Sequence, residues 1–311
     1  MDESRISLLF AADEGYAQHT AVAMMSALLR TARPECVTTY IIDGGLSADA
    51  RRKIAATAES RRSRAVFLTP PATAEDFYVS AHLSRAAYLR LAMAELLPPQ
   101  VERVIYLDGD LLVRDDIGKL WTSGLGGRPL GAVPDFGIMA SARTRREKAA
   151  VLGLGPREPY FNSGVLLADL AQWRGEDLGG RARALAAEHH YPHHDQDALN
   201  ALFRGRWQAL PLRWNVIPPV WQLFSKVLRQ SELRRAALDA RRDIAILHYA
   251  GGAKPWEYPL TSGFNDVYYR VLGETAYRDA PMPQPRPEKR HPLWRQRARL
   301  WLANGWQHLL S

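Results

Sequence analysis

The sequence predicts an α/β protein: a mixed, mostly parallel sheet with helices on both faces, followed by a C-terminal helical tail. Three observations carry that reading. Short apolar runs alternate with helix-like segments along the first half of the chain, polar residues gather where those runs end, and a Pro-rich stretch separates the final segment from the rest.

The elements follow in order. "ISLLFAA" (6–12) reads as a strand, "AQHTAVAMMSALLRT" (17–31) as a helix, and "VTTYIID" (37–43) as a strand ended by Gly44 and Gly45. "LSADARRKIAATAES" (46–60) reads as a helix with Ser47 as its N-cap, and "AVFLT" (65–69) as a strand. "SRAAYLRLAMAELL" (84–97) reads as a helix stopped by Pro98 and Pro99, before the strand "RVIYLD" (103–108). Such alternation implies right-handed crossovers and parallel strands buried on both faces. Met24 and Met25, inside an almost wholly apolar helix, belong to that core. The second half is less regular: "LGAVPD" (130–135), "GVLLADL" (164–170) and "DIAILHYA" (243–250) read as strands and "QDALNALF" (196–203) as a helix. We place a catalytic domain at 1–277, a Pro-rich linker at 278–292 and a basic amphipathic helix at 293–311.

A length of 311 residues permits one large α/β domain or two ordinary ones. With 47% hydrophobic and 24% charged residues, and no window of roughly 18–20 consecutive apolar residues, the chain reads as soluble rather than membrane-spanning. Its acidic start and short apolar run are unlike a secretory signal, and Cys36, the only cysteine, fits a reducing compartment; a cytoplasmic location follows. The net charge is +8, yet six basic residues between Arg286 and Arg299 face only Glu288, so most of the excess lies in the last 26 residues, 286–311. A basic, nucleic-acid-binding face on the domain is not required, and no nucleic acid is expected.

Open α/β sheets bind ligands beyond the carboxyl ends of their strands, where Asp13, Asp43, Asp108, Asp135 and His248 fall. In "LDGD" an extended chain would project Asp108 and Asp110 to one side and Gly109 to the other, leaving the backbone open to a ligand. Two carboxylates near a core repel each other unless a cation lies between them, and oxygen ligands favour Mg²⁺ or Mn²⁺. An isolated Asp-Gly-Asp would otherwise read as a turn cap. In "ILHYAGGAKPW" (246–256), His248 can complete a metal sphere, while Gly251, Gly252 and Lys254 offer N–H groups and charge to phosphates. "PYFNSGVLLADL" (159–170) sets Asn162 and Ser163 before a buried strand. "HHDQDALNALF" (193–203) sets Asp195, Gln196 and Asp197 at a helix start, where Asp195 also reads as an N-cap.

These pieces, with "FAADEGY", "RAAYLRL" and "VIYLDGDLLVRDDIGKLW", resemble in order and spacing glycosyltransferase family 8, most closely the bacterial lipopolysaccharide galactosyl- and glucosyltransferases. The resemblance implies a GT-A fold and a retaining transfer from a UDP-sugar. It places Mn²⁺ on Asp108, Asp110 and His248, and the uracil near Ala11, Ala12, Asp13 and Tyr16. The diphosphate would meet Arg90, Gly251 and Lys254, and the donor sugar Asn162, Asp195 and Gln196, with Gln196 facing the anomeric carbon. Gly109 and Ser163 depart from common family residues and would line the donor pocket. The implied partners are a UDP-hexose and a saccharide or glycolipid acceptor, with lipopolysaccharide or another lipid-linked glycan expected.

A metal-dependent phosphohydrolase would use the same Asp and His residues, and a nucleic-acid-binding protein would explain the basic charge with interleaved tryptophans but not the carboxylates. The histidines His189, His190, His193 and His194 raise zinc, which a loop ahead of Asp195 explains without a metal. In the tail, Trp294, Ala298, Trp301, Leu302 and Leu309 share one helical arc with Arg295, Arg297 and Arg299 outside it. That pattern suits an anionic membrane surface at the inner face of the cytoplasmic membrane; docking on the domain or on a second copy is the alternative.

Overall fold

The computed structural model describes residues 5–70, 86–155, 158–189, 191–252, 254–257 and 264–281. The tail and residues 282–292 of the linker lie outside the described residues.

Nine strands are described: β1 (Ile6–Ala12), β2 (Val37–Asp43), β3 (Arg64–Leu68), β4 (Arg103–Leu107), β5 (Leu111–Val113), β6 (Leu130–Pro134), β7 (Phe161–Asp169), β8 (Trp207–Ala209) and β9 (Ile246–His248). The longer helices are α1 (Ala17–Arg30), α2 (Ala48–Glu59), α3 (Ala142–Leu152), α4 (Leu178–His189), α5 (His194–Leu202), α6 (Ser231–Arg242) and α7 (Asn265–Leu272). Seven strands form one sheet in the order β3-β2-β1-β4-β7-β6-β8, and β5 and β9 form a separate ribbon.

The first four strands pair in parallel, as the alternation predicts, and their apolar side chains feed core clusters on both faces of the sheet. Ser47 caps α2 through Ala50 N–H at 3.1 Å. β7 departs from the parallel pattern. It runs antiparallel to both β4 and β6, so its first residues lie beside the carboxyl end of β4, and the Asp108 N–H donates to the Gly164 carbonyl at 2.9 Å. A bulge between Ala132 and Val133 shifts the register against Asn162.

The expected single helix over 84–97 is interrupted. A 3-10 turn at Arg90–Ala92 separates the helical turns Ala86–Leu89 and Met93–Leu96, and it directs the Arg90 guanidinium under the sheet end. The expected strand over 243–250 shortens to the three residues of β9. Its partner β5 escapes the sequence reading because three residues are too few for a period to show. α1 packs beneath the ribbon: Ser26 Oγ accepts from Val113 N–H at 2.8 Å, which satisfies a buried donor inside an apolar helix.

Candidate active site

The site lies where the ends of β1, β4 and β9 meet the start of β7. Asp108 and Asp110 do not share an extended strand. β4 stops at Leu107, Gly109 and Asp110 form a turn, and β5 leaves in a new direction to pair Leu111 with His248. That pairing brings a residue from far along the sequence to the carboxylates. His248 Nε2 lies 3.0 Å from Asp110 Oδ1 and 3.8 Å from Asp108 Oδ2, and one ligand atom from each of the three residues falls within 4.8 Å of the others.

Gly109 has a packing reason. A Cβ there would lie 2.7 Å from Thr20 Oγ1 and 3.3 Å from Tyr16 Cδ1, so the turn presses against the start of α1 rather than leaving its backbone open. Gly164, which the sequence reading passed over, is equally constrained: its Cβ would fall 2.4 Å from His248 Cε1 and 2.6 Å from Asp108 Oδ2. Only a residue without a side chain lets the imidazole and the carboxylate converge.

Asn215 holds His248. Its Oδ1 lies 2.8 Å from His248 Nδ1 and its Nδ2 donates to Asn162 Oδ1 at 2.8 Å, an orientation that places the ring proton on Nδ1 and turns the Nε2 lone pair toward the carboxylates. Ring N–H to amide oxygen is the outer-sphere contact that metal-binding imidazoles use. Together with two carboxylates, the donor set fits Mn²⁺ or Mg²⁺. Lys254 Nζ contacts Asp110 Oδ2 and donates to the Tyr249 carbonyl at 2.8 Å, so a side-chain cation stands against that oxygen. Burial opposes ionisation of Asp110, but the Lys254 ammonium and His248 outweigh it and hold the carboxyl well below the usual range.

Arg90 is nearly fully buried beneath these groups, with Nη1 3.0 Å from Asp108 Oδ1 and Nε 3.0 Å from Asp195 Oδ2. It also donates to the Ser163 carbonyl at 2.8 Å and lies over the Tyr106 ring at 4.6 Å. The guanidinium is therefore spent on protein groups, with Asp108 and Asp195 on either side. Tyr106 donates to Asp108 Oδ1 at 2.9 Å. Asp195 is not the N-cap of α5; it sits in the first turn, where burial pushes its carboxyl up to about 6 despite Arg90.

Gln196 is fully engaged. Its Oε1 accepts from Ser163 N–H at 3.0 Å, while Nε2 donates to Tyr160 Oη at 3.1 Å and to Asp135 Oδ2 at 3.3 Å. Asp135 Oδ2 also accepts from Asn162 Nδ2 at 3.2 Å. Behind this layer, Tyr160 donates to Asp197 Oδ1 at 2.6 Å, and the buried Lys148 donates to the same oxygen at 2.7 Å. Asp135 is marked in the sequence only by its place at a strand end, and Tyr160 and Lys148 give no local sign of this role, because each comes from a different element.

At the other side, Ala11 and Ala12 close β1, Asp13 Oδ1 accepts from Tyr16 N–H at 3.0 Å, and the Tyr16 ring stands edge-on to His19 and Trp256. Gly251, with φ of +89°, and Gly252 form an exposed bend between β9 and Lys254. The histidines near 190 are occupied elsewhere: His193 Nδ1 lies 2.6 Å from Lys148 Nζ, His194 Nδ1 lies 3.1 Å from Tyr88 Oη, and His190 is outside the described residues. Among the described residues, Asp108, Asp110 and His248 are the cluster suited to a metal.

Comparison with known proteins decides the family. Residues 7–259 match the glycosyl transferase family 8 model. The chain belongs to glycosyl transferase family 8. It is 30% identical over 274 residues to General stress protein A of Bacillus subtilis (strain 168), covering 86% of this chain and 92% of that one. It is also 30% identical over 208 residues to the lipopolysaccharide 1,2-glucosyltransferase of Escherichia coli (strain K12), covering 62% of this chain and 55% of that one. The galactosyltransferase LgtC, solved with donor and acceptor sugar analogues, superposes with a TM-score of 0.75 at 28% identity, covering 88% of this chain and 99% of LgtC. The seven-stranded sheet is thus the GT-A fold of a family 8 glycosyltransferase, and the Asp108–Asp110–His248 cluster lies inside the matched span.

Proposed function

We propose that this family 8 protein is a retaining, metal-dependent hexosyltransferase that moves galactose or glucose from a UDP-sugar to a saccharide acceptor of lipopolysaccharide or another lipid-linked glycan. The observation that carries the reading is the convergence of Asp108, Asp110 and His248, with His248 oriented through Asn215. Bound there, Mn²⁺ or Mg²⁺ would supply Lewis-acid neutralisation of the charge that develops on a departing diphosphate. The names of the relatives support a sugar donor and a glycan acceptor, and the solved LgtC complex holds both kinds of sugar analogue.

The chain's own residues then divide the work. Ala11, Ala12, Asp13 and Tyr16 contact the base. Gly251 and Lys254 face the diphosphate. Lys254 offers its ammonium to phosphate oxygens once it leaves Asp110. Arg90 positions Asp108 and Asp195 from below. Asn162, Ser163 and Asp195 hold the sugar, and Gln196 lies against its anomeric carbon; an active-site Gln-to-Glu mutant of LgtC has been solved, consistent with a glutamine at the reacting centre. Transfer proceeds on one face: the acceptor hydroxyl oxygen bonds to the anomeric carbon as the bond to the diphosphate oxygen breaks. Its proton passes to a phosphate oxygen of the leaving UDP. The Gln196 amide stabilises positive charge on the sugar in between.

The basic tail at 293–311 would hold the enzyme at an anionic membrane surface on the cytoplasmic side. No described helix is long and apolar enough to cross a membrane. Thermal shift with a panel of UDP-sugars, with and without Mn²⁺, tests the donor. The expected result is a Mn²⁺-dependent shift with UDP-galactose or UDP-glucose; no shift with any UDP-sugar overturns the reading. Liposome flotation with and without residues 286–311 tests the tail, and equal flotation of both forms sinks it.

A further inference from the structure

We propose that a cleft of about 530 Å³ at the far end of the β5–β9 ribbon is a second binding site, which takes a phosphomonoester group. Arg30, Arg114, Arg241, Arg242, Asp243 and Phe264 line it.

The ribbon has two ends. At one, Leu111 pairs with His248 beside the metal-binding cluster; at the other, Val113 pairs with Ile246 and the Arg114 N–H donates to the Ala245 carbonyl at 2.7 Å. From Asp110 to Arg114 the strand advances about 13 Å. Along α1, Thr20 packs against Gly109 while Arg30 closes the helix, a rise of about 15 Å. The cleft is therefore a different place from the glycosyltransferase site, and the inference stands whatever sugar that site transfers.

Charge defines the ligand. Asp243, the acid in the lining, is already paired with Arg213 Nη2 at 2.7 Å, and Arg242 lies 3.6 Å from Asp239 at an exposed position. Among the described residues, no carboxylate forms an ion pair with Arg30, Arg114 or Arg241. Arg241 Nε donates to the Trp221 carbonyl at 3.2 Å, which ties down the stem of its guanidinium. Arg114 is half-buried with its guanidinium 5.7 Å from the Phe264 ring centre, and burial, then the nearby Arg30, pull it below its ordinary value. Cations gathered without an anion cost free energy in any partly desolvated position.

Guanidinium forks match the oxygens of a phosphate, and a phosphomonoester offers three terminal oxygens and close to two negative charges. The volume exceeds a phosphate alone, so part of the sugar or glycerol that carries the phosphate fits as well. Phosphate chemistry of this kind comes from a soluble phosphosugar, from free phosphate or from a lipid headgroup.

The full chain and its Arg30→Gln/Arg114→Gln double variant, in chelator and phosphate-free buffer, separate these sources. Inorganic phosphate and a hexose phosphate are titrated by calorimetry; vesicles with and without phosphatidic acid are tested by sedimentation. The expected result is binding by the wild type to at least one probe and about tenfold or greater weakening in the variant. Response to the soluble probes identifies a soluble ligand; because the tail at 293–311 would bring wild type and variant alike to an anionic surface, only phosphatidic acid vesicle binding that the variant loses identifies a lipid headgroup in the cleft. Wild type that binds none of the probes overturns the proposal, as does equal binding by wild type and variant. Removing both of these neighbouring cations leaves the phosphate-free melting temperature equal or higher. Should the double variant melt lower, Arg241→Gln repeats the comparison, and unaltered phosphate binding in it overturns the site.

Discussion

Lys254 Nζ rests on Asp110 Oδ2 while His248 Nε2 lies 3.0 Å from the other oxygen of the same carboxylate. One buried acid is thus shared between a side-chain cation and the imidazole of the proposed metal site. Lys254→Met leaves that acid without its main counter-charge and is expected to cost about 3 kcal/mol without metal. Mn²⁺ restores most of the loss, since it supplies the missing positive charge. Urea denaturation with and without Mn²⁺ reads the difference, and an equal loss in both conditions would show that Lys254 and the metal do not share Asp110.

Asn215→Leu removes the oxygen that fixes the His248 tautomer while keeping side-chain bulk. Outer-sphere partners of this kind are worth roughly 10–100-fold in metal affinity. Calorimetric Mn²⁺ titration measures it. Unchanged affinity means that something other than Asn215 orients the ring.

Gly164→Ala drives a methyl group to within 2.4 Å of His248 Cε1. Either the ring or β7 must yield, so we expect a stability loss of about 1–3 kcal/mol with weaker Mn²⁺ binding. A variant that retains both would show that the strand end relaxes freely.

Gln196→Ala tests the reacting centre. With its hydrogen bonds to Ser163, Tyr160 and Asp135 gone, kcat should fall about 100-fold while the donor KM stays within roughly threefold. Steady-state kinetics separate the two. A fall confined to KM would move Gln196 from transition-state stabilisation to ground-state binding.

His19 reports on burial. Its ring stacks on Trp256 at 3.7 Å and lies 2.6 Å from Tyr268 Oη, and burial pushes its pKa down to about 3 although Asp110 pulls the other way. The folded state therefore prefers the neutral ring. Stability from this group is complete above pH 6.5 and declines as pH falls toward 3, by at most about 1.4 kcal/mol per pH unit. His19→Gln should be less stable than wild type at pH 7.5, with the gap narrowing by pH 4.5. A gap independent of pH would mean that the ring protonates as easily folded as unfolded.

Much of the site was legible because strand ends are legible. Asp13, Asp108, Asp135 and His248 follow short apolar runs whose limits show in the sequence, and ligands gather at such ends. Other parts had no local signal. Arg90 lies in a segment with strong helical periodicity, and the 3-10 turn that aims its guanidinium follows from tertiary packing. Asn215 belongs to an irregular stretch whose one visible feature is the prolines after it. Gly164 looks like any small residue in a buried strand until His248 and Asp108 arrive on either side of it.

Alone, the order of residues determined which chemistry was possible: two acids one glycine apart, an imidazole at a late strand end, an amide beside a helix start, and the apolar alternation that forces a sheet. The tertiary structure decided that these groups meet. Asp108 and Asp110 converge through a turn rather than along one extended strand, because β5 must reverse to pair with β9. That pairing joins chain segments far apart in sequence, and backbone hydrogen bonds between distant strands depend on packing that no local run of residues encodes.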